Sequence, residues 1–168
     1  TGYATEDYSA WGPFAVSAMF FLMFVGGCAG STSGGIKIFR FQVLYAAART
    51  QMGRLLQPHG VFVANFNRRP IPDSVMDSVM SFFFLFALSF AVLAVALSLL
   101  GLDFLTAVSG AGTAIANVGP GLGDVIGPSG TFAPLPDLAK WLLAAGMLLG
   151  RLELLTVMVL FSRTFWRG

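Results

Sequence analysis

The chain has 168 residues, 56% hydrophobic and 11% charged, with a net charge of +2 and a mean hydropathy of +0.78. An ordinary soluble domain carries about 25% charged residues, so this is a membrane composition, and its small positive balance does not point to nucleic acid. One histidine, His59, and one cysteine, Cys28, leave no disulfide framework, no thiolate metal site and no pair for catalysis, so an enzyme is not expected.

The opening stretch, "TGYATEDYSAWGPF", has neither the basic start nor the apolar centre of a signal peptide. Such a start is expected of a fragment or a processed piece. A membrane-spanning helix needs about 20 apolar residues, and three regions qualify. The first runs from about Pro13 to Ala48 and is interrupted by Gly26, Gly27, Gly30, Gly34 and Gly35, with Ser31, Thr32 and Ser33 among them. That run breaks a helix, and irregular backbone at membrane depth is tolerated only against protein or a wet cavity. The three hydroxyl residues are suited to bond the freed backbone groups or water. Cys28 is expected to be small and buried there.

Pro58, Gly60, Pro70 and Pro72 punctuate the following loop, where His59 is expected at the surface. Asp73 and Asp77 precede the second span, 78–101, where carboxylates suit a helix N-terminus. Asp103 then either caps a short helix over 103–116 or is simply solvated. This short segment is apolar, rich in small residues and closed by Gly and Pro, which fits a re-entrant dip better than a crossing. The third span, 138–163, carries Lys140, Arg151 and Glu153. Trp11, Trp141 and Trp166 fall near the expected membrane edges.

Lys37, Arg40, Arg49, Arg54, Arg68 and Arg69 lie between the first and second spans, and Arg163 and Arg167 follow the third. Glu6, Asp7, Asp103, Asp124 and Asp137 take the opposite side. By the positive-inside rule the 49–75 loop and the C-terminus are cytoplasmic and residue 1 is external. All segments agree with this topology only if 103–122 dips in and returns. The basic loop suits anionic lipid or an acidic protein surface, or is solvated topogenic charge.

Two pieces of the chain share a pattern of glycine-containing turn, acidic external loop and inward helix with Gly. The chain therefore reads as one complete span–dip–span unit, about 76–163, preceded by the tail of another. A short helix entering from outside aims its negative dipole end at the bilayer centre, which favours a cation. The return through Val118, Gly119, Pro120 and Gly121 allows backbone carbonyls to replace the water shell of a monovalent ion. Neither turn has a carboxylate ring, so a divalent ion is not expected. One unit cannot surround an ion, and about four are needed. Arg151 is a mid-span charge costing from about 2.5 kcal/mol upward, so it is expected to face a cavity or a partner rather than to snorkel or to pair with Glu153. Glu153, two residues on, is not on its helix face.

Taken together, "TGYAT", "GGCAGSTSGGIK", "NVGPGLG" and "GRLELLTVMVLF" closely resemble the C-terminal part of the TrkH/KtrB-type potassium-uptake family, over essentially the whole chain. The resemblance implies an all-α integral membrane fold with four span–pore-loop–span repeats of potassium-channel type around one pore. Residues 1–57 would be the tail of the third unit, 58–75 a cytoplasmic linker and 76–168 the complete fourth unit. It implies K+ as the transported ion, with Thr1, Gly2, Tyr3 and Ala4 in the third filter segment and Asn117, Val118, Gly119, Pro120 and Gly121 in the fourth. It further implies a gate in the broken inner helix, formed by Gly26, Gly27, Cys28, Ala29, Gly30, Ser31, Thr32, Ser33, Gly34 and Gly35. Arg151 would face this gate from across the pore. By the same resemblance the protein is a homodimer in the inner (plasma) membrane, regulated by a soluble nucleotide-binding subunit on the cytoplasmic side, with no organic cofactor in this chain.

Two other classes fit less well. A nucleotide loop needs Gly-Lys-Ser/Thr, whereas Ile36 separates Gly35 from Lys37 and Phe39 follows. A secondary transporter with discontinuous helices holding a small solute at mid-membrane fits the broken helix and Arg151. It calls for inverted repeats, however, and both units here run in the same direction.

Overall fold

Glycine and proline set where each helix starts and stops. The computed structural model describes residues 2–57, 60, 62–66 and 69–151. A 3-10 turn, Tyr8–Trp11, leads to α1, Pro13–Leu22, with Pro13 at the first helical turn, where its missing N–H costs no helix bond. Helix α1 stops as the glycine run begins, and α2, Ile38–Leu56, resumes after it. The first apolar region is thus broken where expected, although α2 runs on past Ala48.

Helix α3, Asp73–Leu99, starts just after Pro72 with Asp73 in its first turn, earlier than the expected Ser78. Among the described residues it alone is long and apolar enough to cross a membrane, and the rest of the chain covers only 22% of its most apolar stretch. The core helix of a soluble protein would be covered, whereas Phe84, Val92 and Val95 stay exposed on this chain. Such an apolar outer surface suits lipid or further protein.

Helix α4, Phe104–Ala116, is capped by Asp103, whose carboxylate accepts the Thr106 N–H at 3.1 Å. This decides between the two roles left open for Asp103. A short α5, Gly123–Ile126, and α6, Asp137–Arg151, follow. Lys140 pairs with Asp137 at 3.1 Å one turn away on exposed surface. The sequence did not announce the 3-10 turn, α5, or a minimal antiparallel ladder of β1, Asn65–Phe66, with β2, Arg69–Pro70. The fold is therefore mostly helical rather than strictly all-α. Pro58, His59, Arg68, Glu153, Arg163, Arg167, Trp166 and the remainder of the third span lie outside the described residues.

The core is built around α4, which packs against both α3 and α6. Thr106, Ala107 and all residues from Ser109 to Ala116 are buried. Small residues let the neighbouring helices approach: Ala107, Ala111 and Ala114 are fully covered, with Leu97 from α3 and Ala139 and Leu143 from α6. The segment just after α1 joins this body through Phe24. The Phe24 ring meets Phe86 at 5.9 Å and Phe90 at 5.5 Å, both edge-to-face, a favoured arrangement of ring quadrupoles. A Cβ on Gly112 would lie 3.3 Å from the Phe24 ring, so the bare backbone there seats that side chain against α4.

Candidate ion route

The segment after α4 is organised by its N–H groups. Asn117 adopts a left-handed conformation, φ 54°, that ends the helix. Its N–H donates to the Ala114 carbonyl at 3.2 Å and that of Val118 to the Thr113 carbonyl at 3.1 Å. Gly119 N–H donates to Thr113 Oγ1 at 2.9 Å, Gly121 N–H to the Ile126 carbonyl at 2.7 Å and Leu122 N–H to Ser109 Oγ at 3.0 Å. Pro120 has no N–H. In a planar trans peptide the carbonyl of one residue points opposite to the N–H of the next. The carbonyls of Asn117, Val118 and Pro120 are therefore turned away from the groups that hold these donors. Gly119, at φ 126°, takes a backbone conformation that a side chain would strain.

The other expected filter segment lies alongside. A Cβ on Gly2 would stand 3.7 Å from the Gly119 Cα. Tyr3 and Ala4 are exposed on this chain, and Thr1 lies outside the described residues. A cavity of about 420 Å³ is lined by Gly2, Tyr3, Ala4, Val118 and Pro120 together with Gly26, Gly27, Ser33 and Gly34. The structure thus brings the two expected filter segments and the glycine loop to one space.

The glycine loop is closed at its neck. Gly26 N–H donates to the Ile36 carbonyl at 2.9 Å and Ile36 N–H to the Phe24 carbonyl at 2.8 Å. Inside it, Ser33 Oγ accepts the Gly27 N–H at 2.9 Å and Ser31 Oγ accepts the Ser33 N–H at 3.1 Å. The hydroxyls thus bond freed backbone groups. Lys37 Nζ donates to the Ala29 carbonyl at 3.3 Å. Cys28 is exposed, against the expectation of burial, because the closed neck projects residues 28–30 outward from the helices. Gly34 packs under the end of α4, where a Cβ would collide with the Ala116 carbonyl.

Arg151, at the end of α6, donates through Nη1 to the Thr32 carbonyl of this loop, across 119 positions of sequence. A second cavity, about 220 Å³, is lined by residues 31–35 of the loop with Lys37, Arg40, Phe82 and Arg151. The Arg40 guanidinium lies 3.6 Å from the centre of the Phe82 ring, a cation–π contact. Ser33 and Gly34 line both cavities, so the loop stands between them.

Comparison with known proteins agrees over the full length. The TrkH family, described as cation transport protein, matches residues 1–167. The chain belongs to the TrkH family. It is 62% identical over 167 residues to the Trk system potassium uptake protein TrkI of Halomonas elongata, covering 99% of this chain and 34% of that protein. It is 37% identical over 166 residues to TrkH of Escherichia coli K12, with the same coverage of 99% and 34%. Among solved structures it resembles the potassium transporter TrkH from Vibrio parahaemolyticus, with TM-score 0.85 and 38% identity over 99% of this chain and 34% of that one. The chain thus spans about a third of the length of these relatives. They are named as transport proteins, not as enzymes.

In this TrkH-family chain the residues that hold the 117–122 segment are ones that the sequence alone does not single out. Thr106, Ser109 and Thr113 are buried hydroxyls on α4, spaced three and four apart and so on one helix face. Thr113 and Ser109 take N–H groups from Gly119 and Leu122. The signal was present in "FLTAVSGAGTAIA", as a hydroxyl stripe on an otherwise apolar helix. Asn117 also holds more than its own turn: its Nδ2 donates to the Met147 carbonyl of α6 at 3.1 Å.

Proposed function

We propose that this chain supplies part of the pore of a potassium-uptake transporter. In this reading, backbone carbonyls of Gly2, Tyr3, Ala4 and Asn117–Pro120 select the ion, with Thr1 completing the third segment and Gly121 ending the fourth. The 26–35 loop, latched by Arg151, closes the route. The observation that carries it is the loop's position between two cavities, one shared with both filter segments and the other lined by cations. The names of the relatives support potassium as the cargo.

The rest of the reading follows from the charges and the family. Helix α4 is a re-entrant pore helix, the chain spans the inner (plasma) membrane with residue 1 outside, and the 49–75 loop and C-terminus are cytoplasmic. Further pore units of the same polypeptide complete the ring, and the whole protein is a homodimer under a cytoplasmic nucleotide-binding regulator. Potassium fits carbonyl ligands because they replace its hydration shell without a fixed charge. Gly119→Asp places a carboxylate in that ring. In the intact protein it is expected to change the ratio of potassium to sodium uptake, measured as ion flux into cells lacking other uptake routes. An unchanged ratio at normal membrane abundance would reject the filter assignment.

A further inference from the structure

Tyr8 lies outside both filter segments, on the 3-10 turn after the first of them. Its hydroxyl donates to the Gly121 carbonyl at 2.9 Å, across 113 positions of sequence. The other end of that peptide is also held, since Leu122 N–H donates to Ser109 Oγ at 3.0 Å. The 121–122 peptide plane is therefore pinned from both sides and cannot rotate without losing both bonds. The Gly121 carbonyl is thereby committed to a protein donor.

The preceding residue grips the same region. Asp7 accepts the Ser129 hydroxyl at 2.8 Å and the Ser9 N–H at 2.8 Å. Adjacent residues of one unit thus hold the other at two points, its filter end and its outer loop. Burial first, and the Asp7 charge second, push the Tyr8 hydroxyl up from its ordinary value, so it stays protonated and a donor at neutral pH.

We propose that Tyr8 is a selectivity-setting positioning residue, whose hydroxyl fixes the outer end of the fourth filter segment relative to the third. The proposal rests on the filter reading above. Discrimination among monovalent ions depends on the size of the carbonyl cage and on the number of carbonyls that line it. Releasing the Gly121 carbonyl adds a loose ligand at the mouth, which collapses more readily around the smaller ion.

Tyr8→Phe removes only the oxygen. In the intact protein its potassium-over-sodium ratio is expected to fall about five-fold, the size of one net hydrogen bond. The change should lie in the KM for potassium, with maximal rate and membrane abundance retained. Ser129→Ala cuts the neighbouring strap and leaves the Tyr8 hydroxyl in place, so its ratio is expected to stay at the parent value. An unchanged ratio in Tyr8→Phe, while Gly119→Asp shifts it, overturns the role of Tyr8 alone. A fall in Ser129→Ala as large as in Tyr8→Phe overturns it too, by showing general loosening. If neither Tyr8→Phe nor Gly119→Asp moves the ratio, the filter reading falls and takes this proposal with it.

Discussion

Gly34 and Gly150 press on the same end of α4 from two directions. A Cβ on Gly34 would run into the Ala116 carbonyl, and one on Gly150 into the Ile115 carbonyl. The obstacle in each case is backbone at the end of a buried helix, which cannot swing aside as a side chain does. Forcing a methyl group into such packing costs about 1–3 kcal/mol. For Gly34 the part not built into a helix is the loop, so in the proposed reading Gly34→Ala should push it off its seat and weaken the partition between the cavities. Basal ion flux is expected to rise about tenfold, within the range that this strain permits. Gly30, with nothing within 4 Å of its would-be Cβ, supplies the control: Gly30→Ala should leave flux unchanged. Equal fluxes from the two variants would count against a seated loop.

At the scale of the helix, α4 depends on its cap because its length is marginal. Thirteen residues make barely more than three turns, and a short helix takes little stability from its own propagation. Asp103→Ala should cost about 1 kcal/mol, read as a lower melting temperature of the solubilised protein. The Thr106 hydroxyl and then its N–H hold the Asp103 carboxyl below its ordinary value of 3.8. The folded state therefore binds this proton less readily than the unfolded chain, so the stabilisation is fully present above about pH 4 and fades as pH falls through the folded value. The gap between parent and variant should be constant from neutral pH down to about 5 and close in stronger acid. A gap that widened on acidification would contradict the cap.

Across the whole molecule the decisive link is Arg151 to Thr32, because it joins the last described helix to a loop far earlier in sequence. In the proposed reading, a cation at the partition repels potassium and also holds the loop by a charge-assisted hydrogen bond. Arg151→Ala removes both effects, so basal flux should rise by at least the tenfold expected of Gly34→Ala. The measurement is ion leak in the absence of any activating signal. A silent pore in a folded, membrane-inserted variant would exclude the latch.

Much of this was legible beforehand because it is local. Apolar length located α1, α3, α4 and the start of α6, and the glycine run marked a break with no helix to replace it. The dipeptides of glycine and proline after α4 marked a turn, and Asp103 stood where a cap belongs. The exposure of Cys28 is not legible in the sequence, because loop projection depends on which hydrogen bonds close the neck, and Gly26 and Ile36 are ten residues apart. The hydroxyls of Tyr8, Ser109 and Thr113 were passed over because nothing in a side chain's identity says which distant carbonyl or N–H it will meet.

Hydrophobic period and backbone freedom act over a few residues, so the order of residues is enough to make the chain apolar, helical and broken at one glycine loop. Long-range packing is what seats this loop between two cavities, carries Arg151 to Thr32 and brings Tyr8 to Gly121. Those are meetings across more than a hundred positions, and they exist because α4 draws α3 and α6 around it and places the loop beneath its end.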